Sequence, residues 1–588
     1  MSEIHQTMLR CGYIYTPSRH ISASSHLRQN FDKKGYYIKE YNTDEGTFKI
    51  VLIFKHDPSI HLPLAYILEK PEKFNDVLLP HINFGWYLCY VQELEADWNP
   101  NDLDGTYSFI DHQIQLTLNN SVKSISNGEI EQVELEGEFS AYWQAKNCAY
   151  SLSNFNDLTD SLAFLTENQK LNDKNFKEWV LYHKNQEEQY KKWLEQRSLT
   201  KIDSTKVSTR VVKIRPNRLS GINWPPKNFK ELISWLADVD HNAKAFLIDY
   251  FVKYPVKNHL LLLDVDKQDT LGLMLELNLN ATQLSTYAHS KKNTKKNGRK
   301  VQHTIISSLL AGKNAFNQFK RLSFVKADQQ TIINRNRRRP AVGDLSSKKI
   351  ALIGCGTIGG YLSELLLKSG AGVNKGKLDL YDFDTYQPQN FGRHSLTSCD
   401  FGKSKASALK DKLNQSTHLS TNIRDFQCSF PLESKVLQYY DIIIDATGRP
   451  PIAKRLAYLI RNLQLTNTPI LIHGFNDGNG RASKVFIDYS IACINCLNKD
   501  PAFYKNSVDL RFLHLSELNE KKVSCGSTYT PYDAAVSITT AALIQEAALS
   551  TLEEESTWNY KEHIFEGGRT RNPSLIKPKS YCDICNAK

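Results

Sequence analysis

No run of eighteen apolar residues occurs in the 588-residue chain, which argues against a membrane-spanning helix. The opening Met1-Ser2-Glu3-Ile4-His5-Gln6 lacks the basic-then-apolar order of a secretory signal, so the chain reads as cytoplasmic. The middle region, about 200 to 330, shows no internal repeat. Cysteine is too sparse for a disulfide scaffold: there are 11, and four of them fall in two Cys-x-x-Cys pairs, a pattern that favours metal in a cytosolic protein. Composition excludes a disordered chain, with 41% hydrophobic and 11% aromatic residues. The length allows three or four domains, each with its own core. A net charge of +11 points to an acidic partner. The densest basic stretch, Lys291 to Lys300, holds six cations in ten residues but no aromatic. It reads as an exposed interdomain loop, and nucleic acid is not the expected partner.

The chain is organised around Lys348-Lys349-Ile350-Ala351-Leu352-Ile353-Gly354-Cys355-Gly356-Thr357-Ile358-Gly359-Gly360. This is a short apolar strand, a glycine-rich turn and the start of a helix. Gly354 allows the tight turn, Gly356 lets backbone approach a phosphate, and Gly359 lets helix and strand pack closely. The helix start then faces an anion with free N–H groups and its positive dipole end. Taken alone, the pattern fits a nicotinamide or flavin dehydrogenase as well as an ATP enzyme. The strand Lys377–Tyr381 ends in Asp382-Phe383-Asp384, about where a carboxylate meets a ribose. Gln389-Asn390-Phe391-Gly392-Arg393 and Gly402-Lys403-Ser404-Lys405 follow. A dehydrogenase has no use for Arg and Lys aimed at a triphosphate. An enzyme that expels pyrophosphate does, because negative charge develops on the leaving phosphates.

Together with the later strand Ile442-Ile443-Ile444-Asp445-Ala446-Thr447, these elements resemble the ThiF-type adenylyltransferases over roughly residues 340 to 588. That family includes the adenylation domain of ubiquitin-activating enzymes. The resemblance implies ATP at the glycine turn, Asp382 and Asp384 beside the ribose, and Asn390, Arg393 and Lys405 at the phosphates. It puts Asp445 at Mg²⁺. It also implies that one of Arg335, Arg337, Arg338 and Arg339 reaches the ATP of a partner subunit; a solvated basic linker fits those four residues equally.

Near the other end, two apolar strand-like segments precede Leu79-Pro80-His81, Cys89 and Trp98-Asn99-Pro100. This order resembles the catalytic core of a ubiquitin-conjugating enzyme over roughly residues 20 to 150. The usual His-Pro-Asn is replaced by Leu-Pro-His, so the asparagine thought to support the oxyanion is missing. His81 and Asn83 are the candidate replacements. Without a partner domain Cys89 would read as a buried small hydrophobe; beside an activating-type domain it reads as the acceptor thiol.

The segment Leu118 to Phe139 looks β-rich and polar, whereas Asp157 to Arg197 looks helical, with Phe176–Leu181 and Tyr190–Leu194 on helical periods. No catalytic constellation stands out between 200 and 330. In the last hundred residues Cys493-x-x-Cys496 and Cys582-x-x-Cys585 form a four-thiolate set with 85 residues between the pairs. Two residues between cysteines let both sulfurs meet one tetrahedral ion, so Zn²⁺ in a closed, structural role is expected. Ser524-Cys525-Gly526 precedes a small-residue helix, and a thiol there gains nucleophilicity from exposed N–H groups. Cys11, Cys148, Cys355, Cys399 and Cys428 are read as structural.

The expected architecture is α/β and α+β: a ubiquitin-conjugating-like domain over 1–150, a mixed linker domain over 151–335, and a Rossmann-like adenylation domain with a four-cysteine zinc site over 336–588. That order resembles the fused activating–conjugating enzymes of bacterial CBASS anti-phage operons. By this resemblance the chain is a homodimer. It adenylates the C-terminal carboxylate of a cGAS-like nucleotidyltransferase and passes the acyl group through Cys525 and Cys89 to a lysine-bearing acceptor. The alternative is a sulfur-carrier adenylyltransferase of the thiamine or molybdopterin type, without conjugation. A basic nucleic-acid-binding protein with a Rossmann-like domain is the third reading.

Overall fold

The computed structural model describes residues 3–586 apart from 24, 32, 59, 76–78, 84–85, 93–95, 100, 127–138, 144, 146, 155–161, 169–176, 202–206, 217–223, 279–296, 464, 515–520 and 525–526. The chain forms two compact units, one of residues 1–185 with 200–325 and one of residues 186–199 with 326–588. No described helix is long and apolar enough to cross a membrane.

The first unit opens with a six-stranded sheet whose central members are the antiparallel strands Gly35–Thr43, Gly46–Ile53 and Leu64–Glu69. Alternating residues Phe48, Ile50 and Leu52 face the helix Leu103–Ser126, which returns Ile110, Ile114, Leu118 and Val122 to the same core. This helix corrects the β-rich reading over 118–126, and residues 127–138 of that reading lie outside the described residues. The four apolar residues recur every fourth position, a helical stripe visible only when the window opens before Leu118. A second correction concerns the helical reading of 157–197, because Leu162–Asn168 and Lys177–Tyr182 are strands, the second lying between 147–151 and the first. Residues 157–161 and 169–176 of that reading lie outside the described residues. In Lys177–Tyr182, Glu178, Val180 and Tyr182 are buried on one face, while the other passes from exposed Lys177 through half-buried Trp179 to buried Leu181. So short a run with an acid on its buried face carries no apolar period that separates helix from strand. That sheet has eight strands and carries the helices Phe229–Val239 and His241–Lys253.

In the second unit the seven-stranded sheet runs Ile423–Phe426, Lys377–Tyr381, Lys349–Ile353, Ile442–Asp445, Ile470–Asp477, Ala482–Asp488, Tyr560–Ile564. The first five are parallel, Ala482–Asp488 runs opposite to them, and Tyr560–Ile564 runs opposite to Ala482–Asp488. The parallel strands read as apolar runs because helices bury both faces. The order reverses direction around Lys349–Ile353, and the carboxyl ends on its two sides open the crevice in which such sheets bind ligands. The helix Glu187–Arg197 also belongs to this unit. Its Trp193 meets His418 edge-on at 4.9 Å, and Gln196 donates to the Thr417 carbonyl at 2.9 Å.

Candidate nucleotide and thiol sites

A cavity of about 640 Å³ opens at the carboxyl ends of the parallel strands, lined by Gly354, Gly356, Asp382, Asp384 and Lys405 among the residues expected from the sequence. The glycines behave as separate devices. Gly354 has φ +90°, and a Cβ there would stand 3.1 Å from Thr447. A Cβ on Gly359 would lie 1.9 Å from the Gly354 carbonyl oxygen, so helix and turn touch only because the side chain is absent. Gly356 faces open space, leaving room for a phosphate against the start of the helix Thr357–Lys368.

Asp382 braces this turn. One carboxylate oxygen accepts from the Cys355 N–H at 2.7 Å and the other from the Asp384 N–H at 2.8 Å. Burial raises its pKa despite those bonds and the nearby Lys405. Lys405, almost fully buried, pairs with Asp384 at 2.9 Å. His394 supports the turn from behind, meeting the Cys355 carbonyl through Nε2 at 2.9 Å and accepting from the Leu396 N–H through Nδ1 at 3.1 Å. Burial pushes its pKa down to about 4, so the ring is neutral at pH 7. The Cys355 thiol is buried, which raises its pKa well above the ordinary value and leaves it structural.

Besides Gly359, three expected residues lie off the cavity wall. Asp445 is 3% exposed, accepts from the N–H and hydroxyl of Thr447 on one oxygen, and meets His473 Nδ1 at 3.2 Å on the other. It thereby shapes the Ala446–Gly448 turn, which does line the cavity. Asn390 caps its own short helix, accepting from the Gln387 N–H at 3.0 Å. Arg393 donates to the Thr530 carbonyl at 2.8 Å and stacks over Tyr532.

Sequence reasoning missed much of the remaining wall: Phe430, Leu432 and Ile452 on one side, and the loop Asp477-Gly478-Asn479-Gly480 on another. The D-G-N-G string was the available signal. Gly478, Asn479 and Gly480 all have positive φ. Cys428, read as structural, instead reaches the cavity wall as an exposed thiol. Behind the loop, buried Lys484 binds Asp477 and Asp509 at 2.6 Å each and Tyr504 at 2.8 Å.

The four cysteines 493, 496, 582 and 585 bring their sulfurs within 4.8 Å of one another. The Cys493–Cys496, Cys493–Cys582 and Cys496–Cys585 separations are 3.9, 3.5 and 3.5 Å. A tetrahedral ion with Zn–S bonds of about 2.3 Å needs edges of roughly 3.8 Å, so the donor set fits zinc. Asn495 donates to the Cys582 sulfur at 3.6 Å and to Asp583 at 2.8 Å, an outer bracing of the kind metal ligands need.

Cys525 lies outside the described residues. The strands Lys521–Ser524 and Ser527–Tyr529, which flank it in sequence, pair antiparallel. In the first unit, Ile82 pairs with Leu88 and Asn83 with Tyr87. This register sets His81 opposite Cys89, and the Cys89 N–H donates to the His81 carbonyl at 2.8 Å. His81 adopts a left-handed φ of +62°, uncommon outside glycine and costing about 1 kcal/mol. Pro80 and Leu79 are fixed just before it, their carbonyls accepting from Ser121 and Tyr142. The basic run 291–300 lies outside the described residues up to 296, after which the helix Asn297–Leu310 begins.

Known proteins match the chain in the same two regions. Prokaryotic E2 family B matches residues 11–151, and the ThiF family matches residues 329–574. The chain is 47% identical over 586 residues, 99% of each chain, to an ATP-dependent ubiquitin transferase-like protein Cap2 of Vibrio cholerae serotype O1. It is 46% identical to the protein of that name in Escherichia coli, again covering 99% of each. A third, from Pseudomonas aeruginosa, is 25% identical, with 90% of this chain and 91% of that one covered. With a glycine-turn cavity in its C-terminal half, a cysteine–histidine hairpin near its N-terminus, and near-half identity along the whole length, the chain belongs to the Cap2 family of ATP-dependent ubiquitin transferase-like proteins.

Proposed function

We propose that the chain adenylates the C-terminal carboxylate of a protein and carries the acyl group over two thiols to an amine. The carrying observation is that one chain holds both a ThiF-type cavity with Asp382 and Lys405 in its wall and an E2-type cysteine set opposite a histidine. The carboxylate oxygen attacks the α-phosphorus of ATP, the bond to the β-phosphate breaks, and pyrophosphate leaves. The Cys525 thiolate then attacks the acyl carbon and AMP leaves. Cys89 attacks the resulting thioester, returning the Cys525 thiol. Finally a lysine amine attacks, loses its proton and frees Cys89. Splitting acylation this way replaces one hard step with easier ones, and joining both thiols in one chain raises the effective concentration for the second transfer.

The roles at the nucleotide cavity follow the resemblance to ThiF-type adenylyltransferases. The N–H groups at the helix start, Lys405 and Arg393 serve the phosphates, and Asp382 the ribose while it holds the glycine turn. Mg²⁺ accompanying the triphosphate would supply charge neutralisation on the leaving pyrophosphate. Asp382, Asp384 and Asp477 line the cavity and would be the nearest carboxylates to that ion, with Asp445, bonded to Thr447 and His473, behind the cavity wall. His81, across the hairpin from Cys89, would supply a hydrogen-bond donor to the thioester oxyanion or a base for the incoming amine. Zn²⁺ in the four-cysteine set would be structural, tying the Cys493–Cys496 turn to the C-terminal segment.

The finer reading is a cytoplasmic homodimer of anti-phage defence in which the acyl donor is a cGAS-like cyclic-dinucleotide synthase. Within that dimer one of Arg335, Arg337, Arg338 and Arg339 reaches the partner's ATP. In this chain Arg337, Arg338 and Arg339 line a separate cavity beside Lys368, at the far end of the helix that begins at the nucleotide cavity. The sulfur-carrier alternative lacks support from the relatives, which match through the conjugating-type half as well.

The test is ATP–pyrophosphate exchange with the synthase as donor, followed by non-reducing electrophoresis. Wild-type chain should exchange and form a thiol-sensitive adduct. Cys89→Ala should keep exchange and trap the acyl group upstream, whereas Cys525→Ala should form no thioester. A normal conjugate pattern in Cys89→Ala refutes the relay.

A further inference from the structure

The stem that follows the strand Ser527–Tyr529 meets the phosphate side of the cavity at two points. Arg393 gives its Nη1 to the Thr530 carbonyl at 2.8 Å, and its guanidinium carbon sits 4.7 Å from the centre of the Tyr532 ring. Thr357, the first residue of the glycine-turn helix, shares a hydrogen bond of 3.2 Å with the Tyr532 hydroxyl. Tyr532 is held in that position. A Cβ added at Gly480 would come within 2.4 Å of Tyr532 Cβ, so ring and loop are packed backbone to side chain. Thr357, Gly480, Thr530 and Tyr532 all line the one cavity.

These same groups have a second claim on them. A hydroxyl at the first position of a helix that follows a glycine turn points where a phosphate sits, and the adenylation reading gives Arg393 to the phosphates. The stem engages both in this structure. We propose that the Thr530–Tyr532 stem and the triphosphate compete for Arg393 and Thr357. Tyr532 is then a positioning residue that links nucleotide occupancy to the segment following Cys525. The inference rests on the adenylation reading of this cavity.

Linkage fixes the sign in both directions. If nucleotide binding must break the stem contacts, the stem lowers nucleotide affinity, and nucleotide weakens the hold on the stem by the same factor. Part of the binding energy of ATP is then used to detach Thr530 and Tyr532 before the thiol step, which a rigid cavity would not do.

The experiment uses the full chain and the non-hydrolysable analogue α,β-methylene-ATP with magnesium, followed by titration calorimetry and amide hydrogen exchange. Tyr532→Phe keeps the ring against Gly480 and under Arg393 and removes only the hydroxyl. It should bind the analogue between about twofold and tenfold more tightly, the worth of one net hydrogen bond. Tyr532→Leu, which also removes the stacked ring, should bind more tightly still. In wild-type chain the analogue should speed exchange of the amides at 530 and 532–535. Unchanged or weaker affinity in Tyr532→Phe overturns the proposal, as does slower exchange of those amides on binding. If the wild-type chain does not bind the analogue, the adenylation reading falls and takes this inference with it. Unchanged zinc content and melting temperature in both variants would establish that they fold.

Discussion

Lys484→Met is the substitution whose effect the structure specifies most closely. The Lys484 side chain is fully buried and lies 2.6 Å from both Asp477 and Asp509. Asp509 is itself fully buried and also pairs with Arg511, which in turn holds Glu562 at 2.6 Å. Burial alone would raise the pKa of Asp509, yet Arg511 and Lys484 hold it well below the usual carboxylate range. Methionine fills a similar volume but leaves two acids facing a site without its cation. Removing one partner of a buried pair costs about 3–5 kcal/mol. The lower end applies here, because Arg511 still neutralises Asp509 and Asp477 remains 24% exposed to water. A loss of about 3 kcal/mol lowers the melting temperature of a unit this size by about 6–12 °C. Differential scanning calorimetry reads it directly. The double variant Lys484→Met/Asp477→Asn should recover part of the loss, since one of the stranded charges is gone. A single variant melting within about 2 °C of wild type would show that the hub contributes little and that burial has been misjudged.

Three further outcomes are expected. Gly359→Ala should abolish nucleotide binding measured by calorimetry, since its Cβ would stand 1.9 Å from the Gly354 carbonyl oxygen. Gly356→Ala, which faces open space, should fold normally and weaken binding through contact with the ligand alone. For acid stability, buried His394 has its pKa pushed down to about 4 from 6.5. The unfolded chain therefore takes up a proton first, so stability contributed by the neutral ring is complete above pH 6.5 and drains away as pH falls toward 4. Its share is roughly 3 kcal/mol at most, and His394→Gln should flatten the acid limb of a urea-midpoint profile. A profile of unchanged slope would contradict the assignment. Metal analysis should return about one zinc per chain, and Cys582→Ser should lose that zinc and expose the C-terminal segment to protease; a fully folded, metal-free wild-type chain would rule the site out.

Local chemistry made some parts of the site readable in advance. The glycine turn, Asp382, Lys405 and the paired Cys-x-x-Cys motifs are short-range patterns, since each fixes a turn geometry or a ligand pair within a few residues. The Leu-Pro-His string and Cys89 were likewise visible, as was the D-G-N-G loop had its turn signal been followed. The tertiary structure supplied what those patterns lacked. Lys177–Tyr182 took its state from strands far along the chain, whereas the helix Leu103–Ser126 carries a local stripe that a window opened at Leu118 cuts in two. Asp445 and Cys428 exchanged places relative to the cavity, because which side of a strand end faces the crevice depends on the strands beside it.

The chemistry was therefore written locally, in residue types and spacings that permit only a few turn and ligand geometries. The juxtapositions were decided by packing. Sheet order carried Asp477 to the cavity that the glycine turn opens, with Lys484 behind it, hairpin register set His81 against Cys89, and chain return brought Tyr532 onto Thr357. A sequence determines such contacts only through the whole fold, since each joins groups whose separation along the chain says nothing about their distance in space.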